Sequence, residues 1–141
     1  MNTSIMHKLT LGICGLVAMA IASMILLSPA NFYAANHIHL HHNVNLLSEI
    51  RAPATALFAY GFVIFSGILV PRLTFTSTLL STVLYLSYGI GRLASMQIDG
   101  SPTHSLVVAA GIEITLGLIS LLCLMVSSKP SDYSWKVNWL E

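Results

Sequence analysis

Glu113 is the side chain that packing alone explains least, because it is the one acidic or basic residue in an otherwise apolar run from Ser105 to Ser128. A charge at the centre of a bilayer costs about 2.5–3.5 kcal/mol even on insertion scales. Such a carboxyl must therefore face other helices and be either paired or protonated. Upstream, polar side chains recur at Ser77, Ser81, Tyr85, Tyr88, Arg92, Ser95 and Asp99, at spacings of four, four, three, four, three and four. Those spacings make one helical face, provided the helix runs on past Gly91. Hydroxyls and a guanidinium have no partners among acyl chains, so the face turns inward. It serves either as a hydrogen-bonded seam that fixes helix packing or as the wall of a polar cavity opening at the outer surface.

Glu49, Arg51, Arg92, Asp99 and His104 gather near the outer mouth of the same bundle, with Glu113 beneath them. Counting about 1.5 Å per residue from Pro102 puts Glu113 roughly 16 Å along its helix, near the middle of a core about 30 Å thick. Arg92 is the natural counter-charge but is expected one to two turns nearer the surface, with Tyr85 or Tyr88 bridging the gap. Glu49 and Arg51, two residues apart, cannot face each other on a helix, so each pairs with a different element and ties the outer connections to the helices. This set either neutralises itself as a structural network or binds a polar headgroup or small molecule, with the acid as proton donor or acceptor. A second cluster, His37, His39, His41 and His42, would project three imidazoles to one side if extended. A solvated tract is the favoured reading and no metal is expected; His37, His39 and His41 are the candidates for zinc or copper if one binds. No nucleotide loop, nucleophile elbow or HExxH motif is present, and no cofactor is implied. Cys14 and Cys123 lie within apolar runs and read as small packing residues.

The elements that must hold these groups follow from composition. The chain has 141 residues, 55% hydrophobic and 8% charged, with a mean hydropathy of +0.80. A soluble globule is excluded. A formal net charge of +1 leaves no basic surface for nucleic acid. Four stretches suffice to cross a bilayer that needs about 20 apolar residues, so the fold class is all-α, a bundle of four transmembrane helices. The spans fall at about 9–28, 53–70, 73–96 and 102–127, in a single membrane domain over 1–141 with an interfacial tail over 128–141. The first apolar run, Leu9 to Leu27, is longer than the hydrophobic region of a cleavable signal, so it stays. Pro71 and Arg72 make the second and third spans a hairpin. Lys8, Arg72, Lys129 and Lys136 share one side against Arg51 and Arg92, which places both termini in the cytoplasm. In the first outer connection, Asn45 to Arg51 reads as a short interfacial helix broken before Pro53. Ser101 and Pro102 suit the N-cap and first turn of the fourth span. Glycines and alanines along each span permit close helix packing.

Leu47-Ser-Glu-Ile-Arg-Ala52, Tyr85-Leu-Ser-Tyr-Gly-Ile-Gly-Arg-Leu93, Asp99-Gly-Ser-Pro102 and Glu113 together resemble a family of small bacterial membrane proteins defined only as a domain of unknown function, number 4345. The resemblance extends from the first span to the end of the fourth and, more distantly, to DoxX-like four-helix membrane proteins. It implies a multi-pass protein of the bacterial inner membrane and supplies no activity. The histidine tract and the Trp135 and Trp139 tail fall outside it. The expected function is a small membrane protein whose outward polar pocket, formed by Glu49, Arg51, Tyr85, Tyr88, Arg92, Asp99, His104 and Glu113, binds a lipid-like or small amphipathic ligand or a partner subunit. The alternatives are a membrane enzyme of isomerase or cyclase type with Glu113 as acid, proton-coupled transport, and a purely structural subunit. The bilayer is the first partner; a homo-oligomer or a larger membrane complex is the second.

Overall fold

The computed structural model describes residues 5–40 and 43–127. It comprises α1 (Ile5–Leu27), α2 (Pro29–Ala34), α3 (Val44–Leu69), a 3₁₀ turn (Pro71–Leu73), α4 (Thr74–Asp99) and α5 (His104–Ser127). There is no strand among the described residues. Four of the helices are long and apolar enough to cross a membrane. With 23 to 26 residues each, they extend about 34–39 Å, against a hydrocarbon core of about 30 Å. Their ends therefore reach the headgroup layers. The end of the bundle that bears the connections after α1 and after α4, expected from the sequence to face outward, is termed the outer end.

Local chemistry sets the boundaries. Asn43 caps α3: its side-chain oxygen accepts the backbone N–H of Asn45 at 3.0 Å and of Leu46 at 3.3 Å. This cap corrects the expected break at Pro53. Asn45 to Arg51 is not a separate helix but the first turns of α3, which runs through Pro53. Proline here forfeits only the bond to the carbonyl of Glu49, and Glu49 is exposed, so water or headgroups can take that carbonyl up. The connection does hold a short helix, at α2, where Pro29 occupies the first turn. At the other end, α4 continues past Gly91 to Asp99 and stops at Gly100, whose φ of 94° is the left-handed region that favours glycine. The fourth span starts at His104 rather than at Ser101 and Pro102: the Thr103 carbonyl accepts the N–H groups of Leu106 and Val107.

The helices pack as two pairs, α1 with α3 and α4 with α5, joined through α3 and α4 and by α1 touching both α4 and α5. Each pair closes over small residues. A Cβ added at Gly15 would lie 2.8 Å from the Phe65 backbone nitrogen and 2.9 Å from the Gly61 carbonyl oxygen, so the α1 and α3 backbones are in direct contact there. At Gly117 the same atom would meet the Leu86 side chain at 2.6 Å and its nitrogen at 3.0 Å, which is how α5 seats on α4. In a bilayer this contact matters more than in water, because leucine against leucine gains little over leucine against lipid. The core between the pairs is Leu11, Cys14, Ala18, Ile64, Leu84 and Tyr85. Ile13, Leu16, Val83 and Leu122 point outward, as acyl chains require.

Gly15→Ala should cost about 1–3 kcal/mol through overpacking. Gly111→Ala, with nothing within 4 Å of the added carbon, should be neutral or gain up to about 1 kcal/mol from helix propensity. Thermal unfolding in detergent separates the two, and equal losses at both positions would remove the close-approach explanation.

Candidate functional site

The site is built by the outer ends of α4 and α5. Because α4 runs to Asp99, Arg92 lies seven residues, about 10 Å, below its end; Glu113 lies nine residues, about 14 Å, below the start of α5. The helices are antiparallel neighbours, so the two residues differ in depth by only about 3 Å, within the reach of an arginine stem. Arg92 Nε donates to Glu113 Oε2 at 2.8 Å, with the two side chains 33% and 13% exposed. The expected tyrosine bridge is therefore corrected to direct contact. A fourth span beginning two residues later and a third ending three residues later than expected bring the charges level. Pairing lets two ionised groups stand inside a span where either alone would be costly.

Below this pair the polar stripe of α4 is a closed seam. Ser77 donates to the Val63 carbonyl at 2.8 Å, Ser81 and Ser120 share a hydrogen bond at 2.9 Å, and the Tyr85 hydroxyl donates to the Cys14 carbonyl at 2.6 Å. All three α4 side chains are buried. The seam continues inward through Cys14 Sγ to Ser120 at 3.7 Å, Thr10 to Cys123 Sγ at 3.7 Å, and His7, whose ring Nε2–H donates to the Cys123 carbonyl at 2.8 Å. Among the described residues no buried side-chain nitrogen or oxygen lacks a partner. Sequence reasoning gave His7 and Thr10 no role; both lie at the start of α1 on the Cys14 face, and that spacing was the available signal.

Above the pair the stripe opens. Ser87, Tyr88, Gly91, Arg92 and Ser95 line a shallow depression. Ser87 donates back to the Val83 and Leu84 carbonyls and Ser95 to Asp99 Oδ2 at 3.0 Å. Within the described residues, the donors left over are the terminal nitrogens of Arg92 and the Tyr88 hydroxyl. Tyr88 lies within electrostatic range of Glu113 and Arg92, and also of Tyr33 from α2 and Tyr60 from α3. Neither Tyr33 nor Tyr60 was among the expected site residues; for Tyr60 the one sequence signal was that it is the single tyrosine of the uncharged second span.

The remaining expected residues stand apart from the pair. Glu49 and Arg51 occupy exposed outer turns of α3, where Arg51 lines a separate depression with Val44, Leu47, Ser48, Ala52 and Thr55. Asp99 is exposed and bonded within its own helix, and His104 is the exposed first residue of α5. Arg92–Glu113 is the only ion pair among the described residues, so the outer connections are not tied by charges. They are tied by Asn36, whose side-chain oxygen accepts from Thr103 at 3.3 Å and Ser105 at 2.5 Å. His37, with φ of 61°, and His39 are exposed, while His41 and His42 lie outside the described residues. Among the described residues no three His, Cys, Asp or Glu side chains could hold a metal ion.

The chain belongs to the family described as Domain of unknown function (DUF4345), whose model matches residues 6–124. That match takes in the Arg92–Glu113 pair and all four long helices but brings no activity with it. No curated protein and no solved structure matches the chain.

A double-mutant cycle measures the pair. Arg92→Gln and Glu113→Gln should each lower thermal stability in detergent, and the double variant should lose less than their sum. The expected coupling is about 0.5–3 kcal/mol. Strict additivity would mean that the contact contributes nothing to the fold.

Proposed function

We propose that this protein is a membrane module that holds a lipid-like or small amphipathic ligand by its polar head at the Arg92–Glu113 pair, with the tail along the apolar outer faces of α4 and α5. The observation that carries the reading is an ion pair inside a span beside an open depression, with the terminal nitrogens of Arg92 and the Tyr88 hydroxyl bonded to nothing among the described residues. Depth supports it. A helix of about 39 Å centred on a core of about 30 Å overshoots each boundary by about 4–5 Å. Arg92 then lies about 5–6 Å beneath the outer boundary, within snorkelling distance of headgroups. Ile90 and Leu93, exposed on the same outer half of α4, are suited to a tail.

Acid catalysis by Glu113 has the pairing against it, since the carboxyl is already engaged by Arg92 Nε at 2.8 Å. The reading places the protein in a bacterial inner membrane with both termini in the cytoplasm, so that the depression faces outward; this rests on the sequence positions Lys8, Arg72, Lys129 and Lys136 against Arg51 and Arg92. Single cysteines at His37 and Arg72, in a background with Cys14 and Cys123 replaced by alanine, should be labelled by a membrane-impermeant maleimide from the outside and the inside respectively. The opposite pattern would invert the orientation.

Native mass spectrometry and solvent extraction of the purified protein test the binding. Wild type should carry a bound amphiphile that survives mild detergent, and the charge-neutral Arg92→Gln/Glu113→Gln variant, still folded, should lose most of it. If the folded double variant retains as much as wild type and differs only in melting temperature, the pair is structural and the binding reading fails.

A further inference from the structure

The charges around the depression restrict what kind of headgroup fits. Arg92 supplies one positive charge, but its Nε side is taken by Glu113 at 2.8 Å. Asp99, seven residues further along the same helix face, adds a second negative charge about 10 Å nearer the outer end, where it accepts a hydrogen bond from Ser95. The locality is thus not basic: one cation has a carboxylate in contact and a second one about 10 Å further out along the helix. A simple anion would gain the Arg92 terminal nitrogens and the Tyr88 hydroxyl, but Glu113 already offsets the guanidinium charge and Asp99 adds a further negative charge toward the outer end. A simple cation would gain the carboxylates but meet the guanidinium.

Aromatic groups point the same way. Tyr33 and Tyr60 each lie within electrostatic range of Tyr88, and the Tyr33 ring is held edge-on against Phe32 with centroids 5.5 Å apart at 80°. Tyrosine faces attract ammonium groups, most strongly where water is excluded. Tyr33 belongs to the short helix α2 in the connection between α1 and α3.

Resting on the binding reading above, we propose that the depression selects a zwitterionic headgroup that carries a phosphate and an ammonium in one molecule. The phosphate takes the free Arg92 nitrogens, with the Tyr88 hydroxyl as a further donor. The ammonium takes the acidic and aromatic surroundings offered by Asp99 and Tyr33. Phosphatidylethanolamine and phosphatidylcholine carry this chemistry within the bilayer, and glycerophosphoethanolamine carries it free in solution.

The test uses the full chain in nanodiscs of equimolar phosphatidylethanolamine, phosphatidylcholine and phosphatidylglycerol, released into mild detergent and read by native mass spectrometry. Wild type should retain each of the two zwitterionic lipids at least about fivefold over phosphatidylglycerol, a bias of about 1 kcal/mol. Asp99→Asn, an exposed position whose change leaves the fold intact, should cut that bias severalfold by favouring the anionic lipid. Arg92→Gln should lose all three. Displacement of retained lipid by millimolar glycerophosphoethanolamine would mean that the same headgroup chemistry is read from solution; no displacement, with the lipid bias intact, assigns it to the bilayer lipid. Retention of phosphatidylglycerol equal to or above the zwitterionic lipids overturns the headgroup inference while leaving amphiphile binding standing. Folded protein that retains no lipid at all overturns both.

Discussion

A guanidinium cannot be left alone within reach of hydrocarbon, and the contact between Arg92 and Glu113 is the constraint to which the outer half of this bundle answers. For the two groups to meet at 2.8 Å, α4 must run to Asp99 and α5 must begin at His104, which sets the register of one helix against the other. The seating of Gly117 on Leu86 and of Ile114 on Gly89 flanks the pair, so sterics below and electrostatics above specify the same alignment. Either alone would tolerate a slip of one residue; together they do not, because a slip would separate the charges and drive a side chain into a backbone. Agreement between independent local preferences is what distinguishes a specified packing from a merely permitted one.

The polar stripe of α4 does two jobs at two depths, and burial separates them. From Ser77 to Tyr85 the side chains are enclosed, and each finds a partner on another helix. In a medium without water an unmatched hydroxyl is costly, so such a seam fixes which helices face each other without needing a ligand. From Tyr88 outward the same periodicity continues, but Tyr88, Ser95 and Asp99 are exposed and Arg92 only partly buried. Gly89 and Gly91 mark the change within two residues: the first is pressed against Ile114, the second has nothing within 4 Å. A larger side chain at 91 would fill the space next to Arg92, which is why that glycine belongs to the site and not to the packing.

Much of this was legible from sequence, and what was not has identifiable causes. The four spans, the hairpin at Pro71 and the shared face of Ser77 to Asp99 follow from apolar runs and from a period of three and four, both strong signals in lipid. The break expected at Pro53 failed because a proline removes one hydrogen bond, here to an exposed carbonyl, while the Asn43 cap ten residues earlier secures two N–H groups. The start of α5 was misplaced because Ser101 and Pro102 form a good cap by composition, whereas the tie from Asn36 to Thr103 and Ser105 joins segments 67 and 69 residues apart and leaves no local trace. That two-residue error, with α4 ending at Asp99 rather than about 96, is enough to turn a direct ion pair into an apparent gap. The same limit hid Tyr33 and Tyr60, since nothing in a single sequence says which helix a lone tyrosine will face.

Separating seam from opening also explains how such a small bundle keeps a polar opening without weakening itself. Side chains facing lipid gain little from one another, so helix association rests on close backbone contact and on satisfied polar bonds, both concentrated at Gly15, Gly61, Ser81 and Ser120. The outer half can then hold a charged, half-open surface because little of the association depends on it. The cost is confined to one ion pair, and that pair neutralises itself when the depression is empty. A ligand that engages the outer nitrogens of Arg92 would not have to break the contact at Nε, so occupancy can change without rearranging the helices. On this geometry, binding at the outer end is coupled only weakly to the buried seam.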